Sequence, residues 1–386
     1  MLDEYMKNLG YDEEEKELIL SSYPICNRTE TDLLYAIRNL VNFLHRNGLD
    51  NKAIIKITKV IPSIMITSTE NIKNRIEELF QYGFNKIDVF KMIENYPYII
   101  QMSNQRIHNK YQVLQELGFS KEDCNDLFVE KTEILNLDPS YIRKRAEFLK
   151  EYGYDQNDII TIVREIPNVL DMTQNQLTKK LEEYKELGFS KDAIIKITTY
   201  LPELFIYNKE DIEAKTKYLT ENGYTTKSIT NTIKKLPIIL KHNHLEKLEE
   251  NIENLETLGF GKSEIVPLTE KNPYILLYAK ELITENFKNF IKYGYQNAEV
   301  IRMMNDTPLL LTYNTNEIQK RLKYYQDRNV LTTLKDHSKY LLISLELMKH
   351  REKYIKTKNK EDLFLSDKEF LIKYRVTRDE ILKGGK

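Results

Sequence analysis

The 386-residue chain has only two cysteines and no tryptophan, and its charges nearly cancel. Two cysteines cannot form a disulfide scaffold, which excludes the small secreted proteins that disulfides hold together. No apolar run approaches the roughly 18 residues that a membrane-spanning helix needs, so we expect no transmembrane segment. The net charge of −1 also lacks the basic excess that is typical of nucleic-acid-binding domains.

The first residues, 1–7, have neither the basic start nor the apolar core of a secretory signal. They are also too acidic for an organellar transit peptide. We therefore expect a cytoplasmic protein, or an organellar one if this sequence is that of a mature form.

Glycine is scarce, but nine of the 12 glycines recur at intervals of 35 to 38 residues: Gly10, Gly48, Gly83, Gly118, Gly153, Gly188, Gly223, Gly259 and Gly294. Eight of these nine have a proline fourteen residues later, and Thr132 takes that place after Gly118. A fixed period of this length is typical of stacked repeats. The sequence therefore predicts an all-α superhelical solenoid of nine to ten repeats.

Residues 188–222 show how one repeat is built. Ser190 can cap a first helix, which should end near Leu201 because Pro202 disfavours helix at the preceding residue. Leu204 and Phe205 then enter the core, and a second amphipathic helix follows from a cap near Asn208. In the next repeat, which begins at Gly223, the equivalent cap of the second helix is Asn243.

Each glycine should end the second helix in a left-handed conformation, with an apolar contact between the following residue and one four positions before the glycine. Phe189 and Tyr184 form such a pair around Gly188. A tenth copy has Asn329 in place of glycine, and asparagine is the next-best left-handed residue. We predict an N-terminal capping repeat at 1–47, a repeat array at 48–328, and a degenerate repeat with capping helices at 329–386.

The two cysteines fall on repeat positions that other copies fill with aliphatic residues. Cys124 lies six residues after its glycine and Cys26 sixteen after its own. We expect both to be small buried hydrophobic side chains and not nucleophiles.

These motifs resemble the mTERF family of mitochondrial transcription termination factor-like proteins. The resemblance is carried by Leu187-Gly188-Phe189-Ser190 with Leu201-Pro202-Glu203-Leu204-Phe205, and by the copy at 222–240. Near the C-terminus, Ser344-Leu345-Glu346 and Ser366 with Phe370 are similar to the terminal segments of that family. The resemblance implies a nonenzymatic nucleic-acid-binding superhelix, associated with organellar transcription or RNA processing.

A row of hydrogen-bond donors lies eight residues before each glycine from Gly83 to Gly294 and before Asn329. Six are cationic and two are asparagines: Arg75, Lys110, Arg145, Lys180, Lys215, Asn251, Asn286 and Arg321. This position flanks the apolar stripe of the second helix, so the row predicts a charged stripe that tracks phosphates. The alternative is structural, with the side chains lying over core residues and pairing with the next repeat.

The C-terminal segment is the most basic part of the chain, with fourteen Lys and Arg against nine acidic residues in 329–386. Lys349 and Arg351 begin its basic run, which continues through Lys353, Lys356, Lys358 and Lys360. We predict nucleic-acid contacts for Lys349 and Arg351, with a solvated helix face as the alternative.

No catalytic constellation is present, and we predict no enzyme activity, no cofactor and no metal site. His242 and His244 are the only close histidine pair, and two ligands alone rarely hold zinc. The predicted partner is double-stranded DNA or RNA, bound through its backbone by a monomer with no membrane contact. The alternative function is a scaffold for other proteins, which solenoids also serve.

Overall fold

The structure is a computed structural model that describes residues 1–22, 24–355 and 359–382. Within these residues all regular structure is helical, so the predicted all-α fold is confirmed. Each described helix is too short or too polar to cross a lipid bilayer. The α-helices are α1 Leu2–Leu9, α2 Glu13–Ser21, α3 Glu30–Arg46, α4 Asn51–Val60, α5 Thr69–Phe80, α6 Lys86–Asn95, α7 Asn104–Glu116, α8 Lys121–Glu130, α9 Pro139–Tyr152, α10 Gln156–Glu165, α11 Gln174–Glu186, α12 Lys191–Tyr200, α13 Lys209–Glu221, α14 Thr226–Lys235, α15 Leu245–Thr257, α16 Lys262–Lys271, α17 Lys280–Lys292, α18 Asn297–Asp306, α19 Thr315–Gln326, α20 Leu331–Leu334, α21 Leu345–Ile355, α22 Asp367–Tyr374 and α23 Arg378–Leu382.

Short 3-10 turns separate the two helices of each repeat. They are Ile25–Asn27, Pro62–Ile66, Pro97–Ile100, Thr132–Asn136, Pro167–Leu170, Pro202–Phe205, Pro237–Leu240, His242–His244, Pro273–Leu276, Pro308–Thr312, Ser338–Leu342 and Lys360–Phe364. We call the helix that follows each glycine an A helix (the even-numbered helices α2 to α18). The helix that precedes each glycine, or Asn329, is a B helix (the odd-numbered helices α1 to α19).

The repeat at 188–222 has the predicted construction. The Ser190 hydroxyl accepts the backbone N–H of Ala193, α12 ends at Tyr200, and Pro202 begins the turn. Leu204 and Phe205 are buried. The turn that begins at Thr132 forms without proline. Thr132 is buried there, as Pro167 and Pro202 are in their own repeats.

The repeated glycines all adopt the left-handed conformation, with φ between 89° and 114°, and Asn329 follows them at 57°. The backbone N–H of Phe189 donates to the carbonyl of Tyr184 at 3.1 Å, as the predicted helix stop requires. The same bond joins Val330 to Tyr325 around Asn329. The tenth copy is therefore a genuine repeat end.

The chain forms two compact units, 1–179 and 180–386. In the first unit, successive A helices pack side by side from α2 to α8, and α1, α3 and α5 pack in a second layer of B helices. In the second unit, α12, α14, α16 and α18 form the A layer, and α15, α17 and α19 pack in the B layer. Contacts between neighbouring repeats within each unit are those of a solenoid. The division into 1–47, 48–328 and 329–386 stays a prediction.

Two local expectations are wrong. Cys26 is exposed, because Ile25 occupies the buried place in the shortened turn of the first repeat, whereas Cys124 is buried as predicted. The second-helix cap expected at Asn243 is also displaced, since an extra 3-10 turn at His242–His244 delays the start of α15 to Leu245.

Candidate nucleic-acid interface

The predicted donor row lies against the following 3-10 turn, and its asparagines show the arrangement most clearly. Asn251 Nδ2 donates to the carbonyl oxygens of Leu276 and Tyr278, both at 2.9 Å. Both carbonyls belong to the end of the next repeat's turn, where a 3-10 helix leaves backbone acceptors without partners. The side-chain amide therefore joins a B helix to the turn of its neighbour.

The cationic members of the row make equivalent bonds. Lys180 Nζ donates to the carbonyl of Tyr207 at 2.7 Å, at the same separation of 27 residues as Asn251 and Tyr278. Three arginines donate to a turn carbonyl in the same way: Arg75 to Ile99 at 3.2 Å, Arg145 to Met172, and Arg321 to Leu341 at 2.5 Å. Charge is thus not what the position requires, because a neutral amide serves it equally well.

Lys110 and Lys215 occupy the row without this bond. Lys215 Nζ donates instead to the carbonyl of Asp211, one turn back in its own helix, at 3.0 Å. Burial lowers the pKa of Lys215, and it lowers the pKa of Lys110 to about 8, because desolvation disfavours the charged ammonium.

Burial separates the donor row from solvent. Arg75, Lys110, Lys215 and Arg321 are at most 7% exposed, and Arg145 and Lys180 are half-buried. A buried cation whose donors meet backbone carbonyls has little capacity to hold a phosphate. This geometry favours the structural alternative, and phosphate contact by the six cationic residues stays a prediction.

The two predicted C-terminal contacts have different environments. Arg351 is 1% exposed and packs over the Phe370 ring, and its Nη1 donates to the carbonyls of Leu363 and Leu365 at 3.3 and 2.8 Å. Its Nη2 pairs with Asp367. Lys349 is exposed on α21. Lys356 and Lys358 of the same basic run lie outside the described residues.

In the three repeats at 188–292, the charges are divided unevenly between the A helices and the B helices. The A helices α12, α14 and α16 carry seven lysines against three acidic residues, and all seven lysines are exposed. The B helices α13, α15 and α17 carry seven lysines against eleven acidic residues. The overall charge balance therefore hides basic A helices and acidic B helices in these three repeats. The next repeat does not continue the pattern, since α18 has one arginine against two acidic residues and α19 has three cationic residues against one.

One end of the basic layer also carries exposed tyrosines. Tyr200, Lys235 and Lys271 are the last residues of α12, α14 and α16, and each lies twelve residues after its glycine. Lys235 Nζ donates to the carbonyl of Glu270 in α16, which shows that the ends of α14 and α16 are adjacent. We define the basic edge as Lys196, Tyr200, Lys234, Lys235, Lys271 and Tyr274. Sequence reasoning missed it, since the position twelve residues after each glycine is basic only at Lys235 and Lys271.

The histidine pair is not arranged as a metal site. His242 Nδ1 lies 2.8 Å from Asp211 Oδ2, whereas His244 Nδ1 lies 2.6 Å from the carbonyl of Ile238. Across residues 1–22, 24–355 and 359–382 there is no group of three metal-binding side chains.

Comparison with known proteins gives a family match over nearly the whole chain. The mTERF family model matches three overlapping segments, at residues 4–112, 100–224 and 208–373. No curated protein matches the chain with significant similarity.

Proposed function

This chain belongs to the mTERF family, and we propose that it is a nonenzymatic protein that binds the backbone of DNA or RNA. Its role would then lie in transcription termination or regulation, or in RNA processing. Membership of the family supports nucleic-acid binding as the general function, whereas a fold alone does not determine function. The protein would act as a monomer and without a cofactor.

The observation that carries this proposal is the basic surface of the A helices α12, α14 and α16. Its lysines lie at the surface on helices that pack side by side, so their positive potentials add along the layer. Lysines that neutralise phosphates release condensed counterions, which supplies most of the affinity for a nucleic-acid backbone. The proposed contact surface therefore consists of exposed lysines and not of the buried donor row.

Charge reversal tests this assignment. The triple variant Lys196→Glu, Lys227→Glu and Lys234→Glu should abolish most binding to labelled DNA and RNA oligonucleotides in a fluorescence anisotropy titration. The matched control reverses three exposed B-layer lysines, Lys217, Lys288 and Lys292, and should bind nearly as the wild type does. The wild type should show a log–log salt slope steeper than about −3. Equal losses in the two triple variants, or no binding at low salt, would overturn the proposal.

The predicted donor row needs a test that separates charge from folding. Lys180→Gln removes the charge and keeps an amide that can donate to Tyr207, as Asn251 does in its own repeat. If Lys180 contacts phosphate, this variant loses affinity while its thermal stability is unchanged. If the role is structural, affinity is unchanged as well.

The acidic excess of the B helices α13, α15 and α17 favours a second candidate function, the protein scaffold. A cleft of about 550 Å³ beside α13 and α14 is lined in part by Glu186, Glu210 and Glu213 and by one lysine, Lys217. Lys209 pairs with Glu186 and Glu213, which leaves Glu210 as the carboxylate with no cation paired to it among the described residues. An acidic cleft of this kind complements a basic protein segment. Binding of a labelled oligolysine peptide, weakened by Glu210→Gln with Glu213→Gln, would support this function. Peptide binding that these two substitutions leave unchanged would contradict it.

A further inference from the structure

We infer that the basic edge binds single-stranded nucleic acid, with bases stacked on Tyr200 and Tyr274 and phosphates held by the lysines between them. This inference rests on the proposed function, since it specifies the form of nucleic acid and the side chains that contact its bases.

The two tyrosines are exposed to an extent that is unusual for this chain. Tyr200 is 63% exposed and Tyr274 is 59% exposed. The tyrosines at helix ends, such as Tyr224 and Tyr295, are buried and donate or share hydrogen bonds with the next repeat. Tyr200 and Tyr274 therefore present their rings to solvent instead of filling the core.

Their positions alternate with lysines along the edge. Tyr200 ends α12, Lys234 and Lys235 end α14, and Tyr274 lies in the turn that follows α16. This turn packs against α14, so all three sites belong to one continuous surface. Packed helices lie about 8–10 Å apart, and a strand that crosses them would meet a ring, a cationic site and a second ring in turn.

Stacking on these rings requires bases that are not already paired and stacked. A duplex presents its backbone and groove edges to a protein surface, whereas a single strand can turn its bases onto aromatic side chains. Glu203 and Glu270 lie half-buried beside the edge and reduce its positive potential. Base stacking would therefore add affinity that the lysines alone do not supply.

The absence of tryptophan makes a direct test possible, because the wild type has no indole fluorescence. Tyr200→Trp and Tyr274→Trp each introduce a single reporter at the edge. Titration with oligo(dT) and oligo(U), which form no secondary structure, should quench both reporters, whereas a duplex of equal length should not. Tyr141→Trp, at an exposed tyrosine on the B helix α9, is the matched control and should not respond.

Affinity measurements complete the test. Tyr200→Leu and Tyr274→Leu should each weaken single-strand binding about fivefold or more, and Tyr200→Phe and Tyr274→Phe should restore it, because the ring and not the hydroxyl stacks. Single-strand binding unchanged by the leucine variants, or equal quenching by the duplex, would overturn the inference while leaving the proposed function intact. Absence of binding to every nucleic acid would instead remove the proposed function, and the inference with it.

Discussion

Asn286 Nδ2 donates to the carbonyl oxygen of Tyr313 at 2.9 Å and to that of Leu311 at 3.2 Å, across a separation of 27 and 25 residues. Both bonds join α17 to the turn of the next repeat. Six of the eight members of the donor row make this connection, through asparagine, arginine or lysine, so it is a recurrent means of fixing one repeat against the next.

Asn286→Leu should therefore destabilise the protein. The buried carbonyl of Leu311 and the partly buried carbonyl of Tyr313 would lose their donor. Part of this loss is offset because the variant also removes Asn286 Oδ1, which has no hydrogen-bond partner among the described residues. We expect the free energy of unfolding to fall by about 1–2 kcal/mol, measured by urea denaturation. Glu285→Gln, at the exposed neighbouring position, should change it little. A leucine variant as stable as the wild type would contradict this role.

Two glycines with the same backbone conformation should respond differently to alanine. Gly188 and Gly223 both have φ of 89°, and a left-handed alanine costs about 1–2 kcal/mol at either position. A Cβ at Gly188 would also overlap Thr226 Cγ2 in the next repeat, whereas a Cβ at Gly223 meets nothing within 4 Å. Gly188→Ala should thus lose at least about 1 kcal/mol more than Gly223→Ala in thermal or urea denaturation.

The rescue variant identifies the cause of that difference. Thr226→Ser removes the methyl group that the new Cβ would strike, so Gly188→Ala combined with Thr226→Ser should recover the additional loss. Failure of this rescue would mean that the next repeat does not limit the space at Gly188.

Replacing Lys110 should change how stability depends on pH. The pKa of Lys110 is lowered to about 8 by burial, below its value of about 10.4 in the unfolded chain. Between these two values the unfolded state binds a proton that the folded state does not, so wild-type stability rises with pH across this range. Below about pH 8 the folded wild type holds a buried charge that Lys110→Met would remove.

Lys110→Met should accordingly be more stable than the wild type at neutral pH, and this advantage should shrink as the pH approaches about 10.4. Urea denaturation at several pH values measures the difference. Lys144→Met, at an exposed site on α9, is the control and should show no such trend. An advantage that does not vary with pH would exclude the titration of Lys110 as its cause.

Thr132 occupies the place that proline holds in the neighbouring repeats. The residue before it has nearly the same backbone conformation as the residue before Pro167. The preceding residue Lys131 has φ −133° and ψ 56°, compared with −136° and 79° for Ile166 before Pro167. Thr132→Pro should raise the free energy of unfolding by about 0.4–1 kcal/mol, because proline restricts the unfolded chain. Pro167→Thr should lower it by a similar amount, and a destabilised Thr132→Pro variant would show that this turn differs from the others.

The repeat architecture could be predicted from the sequence because its signals are local. A left-handed glycine and a proline after a helix act within a few residues, so Gly188 and Pro202 defined their repeat correctly. The environment of Lys180 could not be predicted in this way. A residue beside an apolar stripe faces either a groove or the adjacent repeat, and helix packing decides between them.

Non-local packing also explains the other differences. Ile25 replaces Cys26 in the core because the first repeat has a shortened turn, and no residue near Cys26 signals this change. The basic edge depends on the side-by-side packing of α12, α14 and α16, which brings together residues about 35 positions apart in sequence.

The separation of lysines and carboxylates between the A helices α12, α14 and α16 and the B helices α13, α15 and α17 gives these three repeats an electric dipole from one helical layer to the other. A polyanion at a distance exerts a torque on such a dipole and turns the lysine-bearing side toward itself before any contact forms. Orientation during diffusion would thus raise the fraction of productive encounters, and added salt would diminish it.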